Sequence, residues 1–198
     1  MYEAKHKKYQ TGGGCMSDEI IIRHSSPTLA GLKTGNLFNC PYSNKNELFH
    51  SLRSLNRKLV PKGVRVIPLR VSADRALLYI YRPRKLENDF AVKEAAQLLK
   101  NYGYSVDNLG KCIVQLRQRL CEAEEFPHEI GLFLGYPPED VRGFIENRAG
   151  SYKCIGCWKV YGDEQKARKQ FEQYRKCTNV YCSLWAEGKS IEQLTVAV

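Results

Sequence analysis

Apolar residues recur at intervals of three and four along most of the chain, which is the spacing of amphipathic helices. The clearest example begins after Asn44, a residue type that favours the N-cap position, and ends before Pro61. Its apolar face consists of Leu48, Leu52, Leu55 and Leu59. The same spacing predicts helices over residues 89–102 and 107–123.

Most of the C-terminal half is also predicted to be helical. Prolines that favour a first helical position predict short helices over residues 127–135 and 138–147. Asp163 is a suitable cap for a long helix that ends near Gly188. Residues 190–193 have the capping-box pattern Ser-x-x-Gln, which predicts a final short helix.

Four segments have the short apolar pattern of β-strands. They are residues 19–23, 63–71, 75–83 and 155–161. The first is rich in β-branched residues, and a short helix over residues 27–33 is expected to follow it, with Pro27 at its start. The second and third are joined by a short loop, which predicts a hairpin, and Pro68 indicates an edge position or a bulge.

This order of elements predicts an α+β fold, or alternatively an α/β fold. A small sheet of about four strands, including the hairpin, is expected to be packed by seven or eight helices, with a helical C-terminal half. No internal repeat and no long linker interrupts the chain. Residues 16–198 are therefore expected to form a single globular domain.

The segment before Met16 is basic, aperiodic and contains three consecutive glycines. Glycine codons begin with two guanines, so these codons would form a purine-rich tract at the distance of a ribosome-binding site from a start codon. Residues 1–15 are therefore expected to be a disordered leader, with Met16 as the native start. The alternative is a phosphate-holding glycine loop, but such a loop should follow a strand and open a helix.

Composition and charge narrow the class of protein. The apolar content of 43% over 198 residues is enough for a sizeable core and argues against disorder. Neither a membrane-spanning apolar run nor a secretory signal is visible, so a cytoplasmic location with mostly reduced cysteines is expected. The net charge of +10 favours anionic partners, such as nucleic acid or nucleotides, although a basic protein without such a partner is an equal alternative.

The leading candidate site lies where the first predicted strand meets the helix that follows it. His24, Ser25, Ser26 and Thr28 fall at this junction, and Lys33 lies about one turn further along. Hydroxyls and free backbone N–H groups at a helix start hold anionic oxygens, while His and Lys supply charge. The sequence therefore predicts a site for a small anionic ligand or cofactor, and an ordinary capped turn is the alternative.

His128 is a second candidate ligand. The zincin pattern needs another histidine four residues later, but that position is Leu132. His128 could bind a metal or haem together with His24 if the fold brings them together. The alternative is that His128 and Glu129 simply serve the start of a helix.

The cysteines suggest thiol or metal chemistry only weakly. Cys154-x-x-Cys157 is followed by Cys177 and Cys182, whose separation fails the paired CxxC pattern of a zinc ribbon. Cys154, Cys157 and Cys177 remain weak metal or redox candidates. Buried, reduced cysteines are the favoured interpretation.

Residues 129–146 have the spacing of a helix-turn-helix. The start of its second helix is acidic, however, which is unfavourable against a phosphate backbone, and a packed helical hairpin is the favoured alternative. A nucleic-acid surface would use basic residues of this hairpin and of the long C-terminal helix. These are Arg142, Arg148, Arg168, Arg175 and Lys176.

Four long segments carry a family resemblance: residues 24–38, 126–147, 152–163 and 176–198. In these segments the chain resembles the domain of unknown function 3793 family of clostridia and related Firmicutes. Many members have a cysteine where this chain has Ser25. The resemblance implies no particular activity, but family genes often lie near flavodoxin and ferrous-iron-transport genes, which implies a link to iron or redox metabolism.

No catalytic triad, paired catalytic carboxylates or nucleotide-binding loop is visible in the sequence, which argues weakly against an enzyme. The first hypothesis is a non-enzymatic accessory protein that binds a small anionic ligand or cofactor of unknown identity. The alternatives are a nucleic-acid-binding module and a thiol- or metal-dependent redox enzyme. No membrane partner is expected, and the oligomeric state is left open.

Overall fold

The computed structural model describes residues 17–122 and 125–197. The predicted leader, residues 1–15, and its proposed start at Met16 lie outside the described residues. The described helices are α1 (Asp18–Leu29), α2 (Lys45–Leu59), α3 (Pro83–Ala91), α4 (Lys93–Asn101), α5 (Leu109–Glu122), α6 (Ile130–Phe133), α7 (Pro138–Glu146), α8 (Glu164–Ala186) and α9 (Ile191–Leu194). The described strands are β1 (Gly35–Pro41), β2 (Arg65–Val71), β3 (Arg75–Tyr81), β4 (Cys154–Ile155) and β5 (Lys159–Val160).

The main sheet has three antiparallel strands in the order β1-β3-β2. The β2–β3 hairpin was predicted, and β2 is an edge strand whose register shifts between Pro68 and Arg70. Proline cannot donate to the ladder, which explains both its edge position and the irregularity. Strand β1 was not predicted, because its seven residues include a glycine, a proline and two asparagines.

Helices cover both faces of this sheet, and β3 alternates between two hydrophobic clusters. Leu77, Tyr79 and Tyr81 pack with residues of α3 to α7. The intervening residues, Leu78 and Ile80 among them, pack instead with α1, α2 and α9. The fold class is therefore mixed α+β, as predicted, with the sheet between two helical layers.

The first predicted strand is wrong, because residues 19–23 belong to α1. The side chain of Ser17 accepts a hydrogen bond from the backbone N–H of Ile20, and Asp18 with Glu19 places negative charge in the first turn. Ile21 and Ile22 are fully buried in the core. Capping and burial thus outweigh the β-propensity of the isoleucines, and the helix continues through Pro27.

Two further elements differ from the prediction. The helix expected over residues 89–102 is two helices, since α3 ends at Ala91 and α4 begins at Lys93. The last predicted strand, residues 155–161, is the short β4–β5 hairpin. A third hydrophobic cluster, which includes Trp158 and Tyr174, packs this hairpin against α8.

Candidate functional site

A pocket of about 300 Å³ lies between α1, the loop that leads to β1, the turn of the β4–β5 hairpin and α8. Its polar lining includes His24, Lys33, Asn36, Arg175, Thr178 and Asn179. No aspartate or glutamate is among its described lining residues. The pocket therefore presents cations and hydrogen-bond donors without a competing carboxylate, which suits an anionic ligand.

Lys33 is the most unusual residue of this pocket. Its side chain is buried, with 8% of the residue exposed. Nζ donates a hydrogen bond to Oδ1 of Asn36 and lies 5.2 Å from the centroid of the Tyr136 ring. Within the described residues Lys33 forms no salt bridge. The neighbouring residue Thr34, and not Lys33, contacts a carboxylate: its hydroxyl donates a 2.5 Å hydrogen bond to Asp89.

This environment makes the charged form of Lys33 unfavourable. Burial lowers the pKa of Lys33 to about 8, and a smaller electrostatic contribution from Cys157 acts in the opposite direction. Near neutral pH the side chain is therefore an ammonium whose proton is held weakly.

Asn36 orients the lysine. Its Nδ2 donates to the backbone carbonyl of His24, so its Oδ1 faces the Nζ atom of Lys33. The Asn36 amide thus connects α1 to Lys33. The acceptor that it offers to Nζ is neutral, unlike a carboxylate.

His24 reaches the same pocket, as the sequence suggested, and its ring stacks on Phe38 with centroids 5.5 Å apart. Burial, followed by the charge of Arg23, lowers the pKa of His24. The imidazole is therefore mostly neutral at neutral pH. The fixed positive charge of the pocket comes from Arg175, with Lys33 adding charge below pH 8.

The remaining residues of the predicted junction do not line the pocket. Ser25, Ser26 and Thr28 are fully buried on α1, and their backbone N–H groups lie inside a continuous helix. The Ser26 hydroxyl donates to the carbonyl of Ile22. The predicted corner of free N–H groups is therefore wrong, because no helix begins there.

His128 lines a different cavity, of about 360 Å³, between α6, α7 and the β4–β5 hairpin. Its ring packs edge-on against Phe144 at 4.9 Å. The described lining of each cavity includes only one of the two histidines, His24 or His128. The proposed pairing of these histidines on one ligand is therefore not supported, although Cys157 lines both cavities.

The cysteine candidates do not form a metal centre. Cys154 is buried in the hairpin cluster, and Cys157 lies in the turn beside the Lys33 pocket. Burial raises the pKa of Cys177 to about 11. Among the described residues, no group of three or more His, Cys, Asp or Glu side chains could hold a metal ion.

The basic residues of the nucleic-acid alternative are spread over two parts of the molecule. Arg175 lines the Lys33 pocket, and Arg148 follows α7 with a φ angle of 47°. The other three contact carboxylates: Arg142 with Glu94 at 3.8 Å, Arg168 with Glu164 at 2.7 Å and Lys176 with Glu172 at 2.8 Å. These contacts reduce the positive potential available to a phosphate backbone.

Asn36 and the contact of Tyr136 with Lys33 were not predicted from the sequence, and Arg175 was predicted for a nucleic-acid surface. The segment Lys33-Thr-Gly-Asn36 offered a local signal, since Asn36 lies three residues after the lysine. The contacts made by Tyr136, Arg175 and Cys157 depend on long-range packing and have no local signal.

The fold and pocket define a mixed α+β protein with a donor-lined pocket at the junction of α1, α8 and a small hairpin. The model of the family described as "Protein of unknown function (DUF3793)" matches residues 21–195, nearly the whole chain. The chain therefore belongs to this family, which confirms the resemblance. No curated protein and no solved structure matches it. No helix in the described part of the chain is long and apolar enough to cross a membrane.

Proposed function

We propose that this protein binds a small anionic ligand in the Lys33 pocket, as an accessory protein and not as a catalyst. The observation that carries the proposal is a buried lysine without a carboxylate partner among the described residues. A buried cation is usually paired, because the loss of its hydration is costly. A bound anion would supply the missing counter-charge.

The other lining residues of the pocket indicate which chemical groups the ligand carries. Arg175 and Asn179 provide donors from α8, which suits a carboxylate or phosphate group. Pro27 and Phe171 provide apolar surface on the same pocket. The favoured ligand therefore combines one anionic group with a small apolar body.

The proposal is tested with the full-length protein and a panel of simple anions. Inorganic phosphate, sulfate and small carboxylates should raise the midpoint of thermal unfolding in a concentration-dependent way, since they bind the folded state. Lys33→Met should remove most of this shift, while Lys169→Met on the exposed face of α8 serves as the matched control for lost charge. Equal shifts in both variants would place anion binding elsewhere.

The same preparation separates the alternative functions. A nucleic-acid-binding module would bind labelled duplex DNA with an affinity that falls steeply with salt and depends on Arg142 and Arg168. A link to iron or redox metabolism would appear as bound metal or colour after anaerobic purification. The anion proposal is favoured because the described residues around the Lys33 pocket include no carboxylate, whereas Arg142 and Arg168 already contact carboxylates.

A further inference from the structure

The Lys33 pocket contains a buried amine and a permanently charged guanidinium in the same cavity. We infer that its ligand is an anionic aldehyde or ketone, which Lys33 captures as a reversible imine while Arg175 holds the anionic group. This inference rests on the proposed function, because it names the ligand class of the same pocket.

The burial of Lys33, without a carboxylate among its described contacts, favours the neutral amine that an imine requires. Nζ meets a neutral amide oxygen from Asn36 and the face of the Tyr136 ring, and the side chain is almost fully removed from water. Such surroundings stabilise the ammonium form less than water or a carboxylate does. The pKa of Lys33, lowered to about 8 by burial, agrees with this geometry and is typical of nucleophilic lysines.

Arg175 has the complementary role. A guanidinium stays protonated at any physiological pH, so it can hold a carboxylate or phosphate after Lys33 has lost its proton. The two side chains come from different elements, Lys33 from the loop before β1 and Arg175 from α8. A ligand with its anionic group and its carbonyl at opposite ends could therefore contact both.

The capture step needs no oxidant or reductant. The lone pair of the neutral Lys33 nitrogen attacks the carbonyl carbon, and the carbonyl π electrons move to oxygen, which gains a proton as the nitrogen loses one. The resulting carbinolamine loses its hydroxyl group together with the second nitrogen proton as water. A carbon–nitrogen double bond remains, and hydrolysis reverses each step.

Cys157 is the competing nucleophile of the pocket. Partial burial raises the pKa of this thiol, although Lys33 opposes the effect, so it stays protonated near neutral pH. The inference therefore assigns the covalent bond to Lys33 and not to Cys157.

Pyridoxal 5′-phosphate and pyridoxal form a matched pair of probes, because both carry the aldehyde and only the first carries a phosphate. Each is added to the full-length protein near pH 8, the imine is reduced with borohydride, and the modified lysine is identified by peptide mass spectrometry. We expect modification of Lys33 by the phosphorylated probe, with half-saturation at a concentration about tenfold lower than for pyridoxal. Excess inorganic phosphate should compete.

Three variants decide the result. Lys33→Arg should abolish the imine but retain the thermal shift with inorganic phosphate, whereas Lys169→Arg should change neither. Arg175→Met should remove the preference for the phosphorylated probe. Modification spread evenly over surface lysines, or equal labelling in Lys33→Arg, would overturn the inference of an imine at Lys33. The proposed function would still stand if the thermal shift with phosphate depends on Lys33. Absence of both would overturn both.

Discussion

The Nζ atom of Lys33 lies 5.2 Å from the centroid of the Tyr136 ring, so the buried lysine has an aromatic face where a carboxylate would be usual. Tyr136 also contacts the turn of the β4–β5 hairpin, since its hydroxyl donates a 3.2 Å hydrogen bond to the backbone carbonyl of Cys157. The ring attracts the Lys33 ammonium but carries no net negative charge that could neutralise it. Stability and ligand binding should therefore both depend on the protonation of Lys33.

Lys33 should make the stability of the protein depend on alkaline pH. Its folded-state pKa of about 8 lies below the ordinary value of 10.5, so between these values the unfolded chain binds more protons than the folded chain. The penalty of the buried charge is therefore fully present below pH 8 and is relieved as pH rises toward 10.5. Relative to Lys33→Met, the wild-type protein should gain up to about 3 kcal/mol over this range.

Urea unfolding at pH 7, 8.5 and 10 measures this difference. The exposed Lys169→Met variant controls for the loss of one positive charge from the whole protein. A difference between wild type and Lys33→Met that stays constant with pH would contradict the low pKa of Lys33.

Arg82 should be among the residues most important for stability. It is 2% exposed and donates to four backbone carbonyls, those of Thr28, Leu29, Lys62 and Val196. These bonds hold together the end of α1, the turn after α2 and the C-terminal segment. Arg82→Met removes all four of these charged hydrogen bonds, two of which are buried, so it should cost about 3 kcal/mol.

The neighbouring Arg84→Met is the matched control, since Arg84 is exposed. It should change the free energy of unfolding by less than about 0.5 kcal/mol. Arg82→Lys should recover only part of the loss, because an ammonium cannot reproduce the fork of the guanidinium. Equal midpoints for Arg82→Met and Arg84→Met in urea would contradict the role of Arg82.

Asp140 should hold the β4–β5 hairpin against α7. Its Oδ2 accepts a 2.7 Å hydrogen bond from the indole N–H of Trp158, and its Oδ1 accepts 2.7 Å hydrogen bonds from the backbone N–H groups of Tyr161 and Gly162. Asp140→Ala leaves one buried and two partly buried donors without this partner and should cost about 2–4 kcal/mol. The exposed Glu139→Ala should be close to neutral.

Two local measurements distinguish this role from a general loss of stability. Asp140→Ala should shift the emission of Trp158 and increase the alkylation rate of Cys157, because both residues belong to the hairpin. Unchanged rates at Cys157 in a folded Asp140→Ala protein would show that the hairpin is held by other contacts.

The N-terminal caps of helices α2 and α9 were predictable from the sequence. The Asn44 cap and the Ser190–Gln193 capping box are both present, because each depends on residues two or three positions apart. Helix α1 shows the limit of sequence reasoning, since the β-branched run Ile20–Ile22 predicts a strand. The cap at Ser17 and the burial of Ile21 reverse that preference.

The pocket was only partly predictable for the same reason. His24 and Lys33 were identified from a short motif, but through a strand-to-helix corner that does not exist. Arg175 and Tyr136 join them only because α8 and the chain after α6 pack beside α1 and its following loop. Such contacts join residues more than 100 positions apart and leave no periodic pattern in the sequence.

The interaction between Lys33 and Tyr136 can be isolated with a double-mutant cycle. Lys33→Met, Tyr136→Leu and the double variant are compared with wild type by urea unfolding at pH 7. A cation above a buried ring stabilises by about 0.5–2 kcal/mol, so the coupling energy should be favourable and in this range. Tyr136→Phe keeps the ring but loses the hydrogen bond to Cys157, so it should preserve the coupling.

Repeating the cycle at pH 10 tests whether the charge causes the coupling. Lys33 is then mostly a neutral amine, because its pKa is about 8. A coupling that arises from the cation and the ring should fall toward zero, whereas a packing contact between the lysine stem and the ring should not change with pH. An equal coupling at both pH values would therefore assign the Lys33–Tyr136 contact to packing and would remove one of the reasons for treating Lys33 as an unneutralised cation.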